Sequence, residues 1–129
     1  MSPVIATVPA RADFVHVLRT VVAAVAARLD FPYDALDDLR MVVDEACSAL
    51  LGIRSPARTL TLKLTPGPDH LEVMVCTDAR DASWPRPDVE RTLAWKVLDA
   101  LTDEARFETV PDGPAVRAIK RFGHAGSVG

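Results

Sequence analysis

The side chains best suited to chemistry are concentrated in one stretch, residues 37–49, which reads DDLRMVVDEACSA. Adjacent carboxylates at Asp44 and Glu45 could exchange protons with a substrate. The plainer interpretation is that two neighbouring acids on a helix form a solvated face. The residues of this stretch, taken alone, leave both interpretations open.

The other residues with ligating capacity are scattered. His16, His70 and His124 lie far apart and have no Cys, His or Asp partners at ligand spacing, so a structural metal site is not expected. Cys47 and Cys76 are the only two cysteines, and without a secretory context they indicate reduced thiols. We expect both thiols to be buried and unreactive, and a disulfide between them is the alternative.

Length and composition exclude several classes of protein. The chain has 129 residues, enough for one domain, with 49% hydrophobic and 26% charged residues, as in ordinary globular proteins. The net charge of -3 argues against a nucleic-acid or anionic-membrane binder. No apolar run reaches the length of about 18 residues that a membrane span needs, and no signal peptide is visible. We therefore expect a cytoplasmic protein.

Apolar residues at spacings of three and four predict three amphipathic helices. The first follows Asp13, an expected N-cap, and ends near Asp30, and the second runs from about Asp34 to Gly52. The third is expected to start at Asp88, also as N-cap, and to end at Leu101. Their buried stripes are expected at Phe14, Val17, Leu18, Val21, Val22, Val25 and Leu29, then at Leu36, Leu39, Val43, Ala46, Cys47 and Leu50, and finally at Leu93, Val97, Leu98 and Leu101.

Alternating patterns and turn residues predict five strands. They cover Val4–Val8, Thr59–Thr65, the region of Leu71–Val75, Ala105–Val110 and Ala115–Phe122. Between the third strand and the third helix, residues 78–87 show no period and are expected to form a loop. Three amphipathic helices and one sheet favour an α+β fold, namely a two-layer α/β sandwich with a mostly antiparallel sheet of about five strands covered by three helices. We expect one domain over residues 1–122 and a flexible tail over 123–129.

The stretch 37–49 resembles the N-box helix of the GHKL (Bergerat-fold) ATPase superfamily, and specifically that of the anti-sigma-factor serine kinases of the RsbW/SpoIIAB type. That helix reads approximately L-x-x-A-V-x-E-A-C-T-N-A, and the residues that match it are Leu39, Val42, Val43, Glu45, Ala46 and Cys47. Residues 93–104 resemble the last helix of the family and residues 115–122 its closing strand. The element order also matches, so the resemblance covers about residues 4–122 and implies a histidine-kinase-like ATPase fold.

The resemblance assigns roles to three positions. In the family, the N-box glutamate is the base and an asparagine one turn later holds Mg²⁺; Glu45 fills the first position, but Ala49 stands at the second. A methyl group cannot ligate a cation that requires oxygen donors. Asp78 stands at the aspartate of the D-x-G-x-G motif, which reads the adenine amino group. Glu45 is thus expected to be a vestigial base, Asp78 a nucleotide contact, and no metal site is expected.

The remaining ATP-handling features are degenerate. Arg80 and Ala82 occupy the glycine positions of the motif, and residues 83–91, where the family has a Gly-rich ATP lid, contain no glycine. Trp84 and Trp95 are expected to pack within the protein and not to serve as ligand platforms. We expect no required cofactor, although residual ATP or ADP binding stays open.

Three functions remain as hypotheses. The first is an anti-sigma factor that sequesters an alternative sigma factor of the stress or sporulation type, is relieved by an anti-sigma-factor antagonist and lacks kinase activity. The alternative is an active ATP/Mg-dependent serine kinase that phosphorylates the antagonist. The third is a sensor whose altered pocket binds another small molecule. The resemblance makes a homodimer one state to consider, and neither a nucleic acid nor a membrane is an expected partner.

The resemblance also points to a partner-binding surface. In the family, the start of the first helix helps to bind the sigma factor and the antagonist, and a basic residue two positions after its phenylalanine belongs to that surface. His16 stands at that position, and Arg19, one turn further on, could take over its role. Asp34, Asp37 and Asp38 would attract a basic, DNA-binding partner. The alternative is that these are ordinary solvated charges.

Overall fold

The structure, a computed structural model, describes residues 2–122. It contains one five-stranded sheet and three α-helices, in the order strand, helix, helix, strand, strand, helix, strand, strand. The predicted element order and the α+β class are confirmed. The tail that we expected to be flexible, residues 123–129, lies outside the described residues.

The bounds of the elements lie close to the predicted ones. The strands are β1 (Val4–Pro9), β2 (Thr59–Pro66), β3 (His70–Thr77), β4 (Glu104–Val110) and β5 (Gly113–Arg121). The helices are α1 (Val15–Arg28), α2 (Tyr33–Leu51) and α3 (Leu93–Leu101), and single 3-10 turns at Ala12–Phe14 and Val89–Arg91 precede α1 and α3. Apart from that second 3-10 turn, residues 78–92 are irregular, and we call them the 78–92 loop.

The sheet is antiparallel throughout, with the strand order β1-β2-β3-β5-β4. Its strands follow the alternation of the sequence, because successive side chains of a strand point to opposite faces. In β2, for example, Leu60, Leu62 and Leu64 are fully buried, whereas Thr61 and Lys63 face the other side. β3 leads into the 78–92 loop, and β5 begins at the β4–β5 hairpin. Because β3 and β5 are antiparallel neighbours in the sheet, the loop and the hairpin lie next to each other.

The helices cover one face of the sheet. Leu18 and Val22 of α1 and Leu39 and Val43 of α2 belong to a single buried cluster with the inward residues of β2, β3 and β5. Each fully buried Leu or Val side chain stabilises the fold by about 1.5–3 kcal/mol. The predicted two-layer packing is therefore confirmed, and the opposite face of the sheet carries a mixture of polar, charged and apolar side chains.

Two predicted helix starts are wrong. Asp13 does not cap α1: it lies inside the 3-10 turn, where its carboxylate pairs with Arg11 at 3.1 Å, and α1 begins without a side-chain cap. Asp88 does not cap α3 either. That helix begins five residues later, where the Thr92 hydroxyl accepts a hydrogen bond from the backbone N–H of Trp95 at 3.2 Å.

One predicted stripe position is also wrong. Leu93 was expected in the core, but it is the first residue of α3 and is 77% exposed, whereas Leu98 is fully buried. Because α3 starts later than predicted, Leu93 lies in its first turn, where it stays accessible to solvent. Of the helices that the structure describes between residues 2 and 122, none is long and apolar enough to cross a membrane.

Candidate functional site

Helix α2 holds the residues that carry the family resemblance. Its buried side includes Val43, Ala46 and Cys47, which places Glu45 and Ala49 at the edge of the core, both half-buried. Glu45 and Ala49 are four residues apart and therefore lie on the same side of the helix, one turn from each other. Ala49 thus presents a methyl group one turn away from the Glu45 carboxylate.

Both thiols are buried and free, as expected. Burial raises the pKa of Cys47 to about 12, because the thiolate would lose its hydration, and the negative charge of Asp44 adds to this effect. The pKa of Cys76 is also raised, chiefly by burial and then by Asp112 and Asp78. Neither group is poised to act as a nucleophile near neutral pH.

Asp78 fastens two strands to each other. One of its carboxylate oxygens accepts hydrogen bonds from the backbone N–H groups of Arg58 (2.8 Å) and Thr59 (3.1 Å). These bonds, the one from Thr59 first, hold the pKa of Asp78 below its usual range. The Thr77 hydroxyl donates to the Thr59 carbonyl oxygen at 2.8 Å. Side chains at Thr77 and Asp78 therefore both bind the backbone at the start of β2. The nucleotide contact at Asp78 stays a prediction.

Two cavities flank the 78–92 loop. One, of about 430 Å³, lies beside the C-terminal end of α2, and the other, of about 410 Å³, lies beside the β4–β5 hairpin. Ala49 lines the first and Asp78 lines the second, Asp81 lines both, and Glu45 lines neither. The positions that the resemblance assigns to the metal and to the adenine thus line different cavities, and these adjoin at Asp81.

The donors at the first cavity do not suit Mg²⁺, which requires several oxygen ligands in a near-octahedral arrangement. Ala49 offers no donor, and one carboxylate oxygen of Asp81 already accepts from the backbone N–H of Ser83 (2.9 Å) and from its hydroxyl (2.6 Å). Within residues 2–122, no group of three or more His, Cys, Asp or Glu side chains is arranged to hold a metal ion. The residues present do not fit the Mg²⁺ that the resemblance implies.

Trp84 connects the 78–92 loop to the sheet. Its ring stacks on Phe107 of β4, with centroids 5.2 Å apart and an interplanar angle of 11°. Its indole N–H donates to the Glu108 carbonyl oxygen at 2.9 Å, and the Thr109 hydroxyl donates to the Trp84 carbonyl oxygen at 3.2 Å. The expected packing role of Trp84 is confirmed, but the sequence contained no signal that identified β4 as its partner.

The two residues predicted at the start of α1 have different surroundings. His16 is exposed, and its Nδ1 lies 3.0 Å from the Asp13 carbonyl oxygen. Arg19 lies against α2, where its guanidinium pairs with Asp44 at 3.3 Å. Both partners of this pair are about 40% exposed, with side-chain fractions of 43% and 38%, so the pair is accessible to a docking protein.

The predicted acidic opening of α2 is partly neutralised. Asp37 pairs with Arg40 at 2.6 Å, and Asp38 pairs with Lys120 of β5 at 3.3 Å. Asp34 is exposed and lines a third cavity, of about 490 Å³, at the end of β5. Along α2, Asp34 lies about 15 Å from the residue that pairs with Arg19, at a rise of 1.5 Å per residue. The structure thus places the predicted partner-binding residues on adjacent helices but in two groups.

A further group of charged residues, which the sequence did not predict, lies on the sheet. On the sheet face opposite the helices, Arg117 of β5 bridges Glu72 (2.7 Å) and Glu108 (2.6 Å), and these carboxylates raise its pKa. Only the strand register reveals this arrangement, because it brings together residues that are 9 and 45 positions apart. The available signal was the placement of charged residues at the outward positions of three predicted strands.

Known proteins resemble the chain in sequence and in fold. It is 35% identical to the anti-sigma-F factor RsbW of Mycobacterium tuberculosis over 82% of this chain and 60% of that protein. It is 34% identical to the serine-protein kinase RsbW of Halalkalibacterium halodurans over 90% of this chain and 80% of that protein. The chain thus spans about 60% of the length of the mycobacterial relative, and no protein-family model matches it.

A solved structure shares the fold. The crystal structure of the RsbU and RsbW domains of Rv1364c from Mycobacterium tuberculosis matches 94% of this chain and 32% of that chain, with a TM-score of 0.71 and 14% sequence identity. This shared fold agrees with the sequence identity to the two relatives, which extends over 60% and 80% of their length. The chain belongs to the RsbW family, whose members carry the names anti-sigma factor and serine-protein kinase.

Proposed function

We propose that this protein is an anti-sigma factor that sequesters an alternative sigma factor and is relieved by an anti-sigma-factor antagonist, without phosphorylating it. The observation that carries the proposal is the family membership, which includes 35% identity to a protein named anti-sigma-F factor. The loss of the Mg²⁺ donor at Ala49 supports a binding protein over an enzyme, because phosphoryl transfer depends on a metal to stabilise the transferred charge.

The outer surface of α1 and α2 suits protein binding. It combines the accessible Arg19–Asp44 pair with exposed apolar side chains of α2, since Tyr33 is 82% and Met41 is 48% exposed. Arginine and tyrosine are enriched among the residues that dominate the energies of protein interfaces. The exposed Asp34 adds negative charge that would speed association with a basic partner.

The alternative is an ATP/Mg-dependent serine kinase that phosphorylates the antagonist. In its favour are the retained Glu45 and the relatives named serine-protein kinase. Against it stand Ala49 and the glycine-free loop. We propose that no cofactor is needed for sigma-factor binding, while weak ATP or ADP binding stays open.

The setting of the protein is also a proposal. Reduced, buried thiols and a partner that acts on RNA polymerase favour the cytoplasm. A homodimer is a further expectation from the resemblance, and sedimentation velocity of the purified protein at micromolar concentration tests it. A single species with the mass of one chain, 14.0 kDa, would exclude the dimer at that concentration.

Affinity capture from the native cytosol tests the proposal directly. Tagged protein, added without nucleotide, should retain a sigma factor that mass spectrometry identifies, whereas Arg19→Glu should retain much less of it. If the tagged protein captured no sigma factor under any condition, but captured an antagonist that became labelled when ATP was added, the result would instead support the kinase.

A further inference from the structure

The 78–92 loop stands where the family resemblance implies a Gly-rich lid, but its construction is different. It contains no glycine, and its backbone is bonded internally. The backbone N–H of Trp84 donates to the Asp81 carbonyl oxygen (3.2 Å), and the backbone N–H of Thr92 donates to the Val89 carbonyl oxygen (3.0 Å). With the Ser83–Asp81 bonds already described, these contacts shape the segment into short turns.

Trp84 fixes the middle of this loop to the body of the protein. Its indole contributes a ring stack and a hydrogen bond to β4, and its backbone accepts a third contact from Thr109. Trp84 also packs against the main apolar cluster and lines the cavity beside α2. Burial of an aromatic ring with its N–H satisfied and stacked on a second ring is a strong local anchor.

The anchored loop borders both cavities. Ala49 and Trp84 line the cavity beside α2, Asp78 and Gly113 line the one beside the β4–β5 hairpin, and Asp81 lines both. Because Trp84 contacts Phe107, Glu108 and Thr109 of β4, the loop cannot move away from the cavities at this point unless these contacts break.

We propose that Trp84 is a specificity-determining residue: its indole fastens the 78–92 loop to β4, so that the loop keeps its position beside both cavities whether or not ATP or ADP is present. One consequence of this inference is that nucleotide does not control sigma-factor binding, and that consequence rests on the proposed function. The state of the loop itself can be measured without any partner.

The first test uses Trp84 as its own reporter. The chain has two tryptophans, so Trp95→Phe leaves Trp84 as the only one. Its emission maximum and its quenching by acrylamide should be the same without nucleotide and with millimolar ATP or ADP, each with and without Mg²⁺. A shift of the emission or a rise in quenching at saturating nucleotide would show that the loop opens, and would overturn the proposal.

The second test removes the anchor. In Trp84→Ala, the backbone amides of Ser83, Val89 and Thr92 should exchange their hydrogen about tenfold faster or more, and added indole should restore part of the protection. Trp95→Phe is the matched control and should leave these amides unchanged. Equal exchange in Trp84→Ala and in the original protein would show that other contacts hold the loop.

A milder variant covers the case in which Trp84→Ala fails to fold. Trp84→Phe keeps a ring on Phe107 but has no N–H for the Glu108 carbonyl oxygen, so the loop amides should exchange at an intermediate rate while those of β2 and β3 stay protected. Unchanged loop exchange in this variant would contradict the role of the indole hydrogen bond. Because no sigma factor is used, failure here is distinct from failure of the proposed function.

Discussion

Asp78 illustrates how one carboxylate can serve the fold and at the same time match a family motif. Its two hydrogen bonds from backbone N–H groups of residues 58 and 59 depend on the antiparallel pairing of β2 with β3, which no local pattern encodes. The sequence therefore identified the residue through its motif position. It could not identify the bonds that the residue makes.

The pKa of Asp78 leads to a prediction about acid stability. Its folded-state pKa lies below the unfolded value of about 3.9, so the charged form stabilises the fold above that pH. This contribution disappears as the pH falls through the lower, folded-state pKa. In denaturant titrations, Asp78→Asn should be less stable than the original protein at pH 7, and the difference should shrink below about pH 4. A difference independent of pH would contradict the assignment.

The buried thiols give a second prediction at the scale of single residues. A thiol with a pKa of about 12, as at Cys47, is almost entirely protonated at pH 8, and its side chain is out of reach of reagents. A colorimetric thiol reagent should therefore find almost no reactive cysteine in the folded protein and two in denaturant. Fast modification of Cys47 under native conditions would show that α2 opens readily.

Arg19 gives a third prediction at the scale of single residues. If it anchors the partner, Arg19→Glu should weaken sigma-factor binding by about 2 kcal/mol, which is roughly 30-fold in affinity. The free energy of unfolding should change by less than about 1 kcal/mol, because the Arg19–Asp44 pair is about 40% exposed and water screens its charges. Arg28→Glu makes the same change of charge at the far end of α1 and serves as the control. Equal affinity of all three proteins in calorimetry would exclude Arg19 as an anchor.

Among the elements, the strands and the first two helices could be predicted because their periods are long and regular. The alternation of β2 and the apolar side of α2 lead directly to the buried residues that the structure shows. The start of α3 could not be predicted as well, since Asp88 and Thr92 are both acceptable caps. Thr92 prevails because its extended backbone lets the hydroxyl reach the N–H of Trp95.

The β4–β5 hairpin provides a prediction at the scale of an element. Gly113 has a φ of +140°, and a Cβ at this position would overlap the carbonyl oxygen of Thr77, so Gly113→Ala should destabilise the protein by about 2 kcal/mol or more. Gly52, at the end of α2, has a φ of -74° and room for a Cβ at 3.4 Å from its neighbours.

The two glycines therefore form a matched pair. Gly52→Ala should be neutral or stabilise by a few tenths of a kcal/mol, because it restricts the unfolded chain without strain in the folded one. Thermal unfolding of both variants provides the comparison. Equal melting temperatures would show that the hairpin adjusts more freely than its contacts with β3 indicate.

At the scale of the whole molecule, the layer arrangement followed from counting amphipathic helices and strands, and the family followed from the N-box stretch. The candidate site was less accessible to this reasoning. The shape of its two cavities depends on the position of the 78–92 loop, which lines both, and this loop is held by the contacts of Trp84 with β4, a strand about 20 residues further along the chain.

The methyl group of Ala49 at the Mg²⁺ position predicts that phosphoryl transfer is absent. Labelled ATP and Mg²⁺ incubated with this protein and its antagonist should leave the antagonist unlabelled, because the charge on the transferred group would lack its main stabiliser. Stoichiometric, Mg²⁺-dependent labelling that Glu45→Ala abolishes would establish the kinase instead.

The most direct test of the account is a calorimetric titration of the captured sigma factor into the nucleotide-free protein, repeated with saturating ATP and Mg²⁺. The account predicts a specific complex in both titrations, with dissociation constants that agree within about twofold. Binding that requires ATP and Mg²⁺, or no binding in either titration, would contradict it.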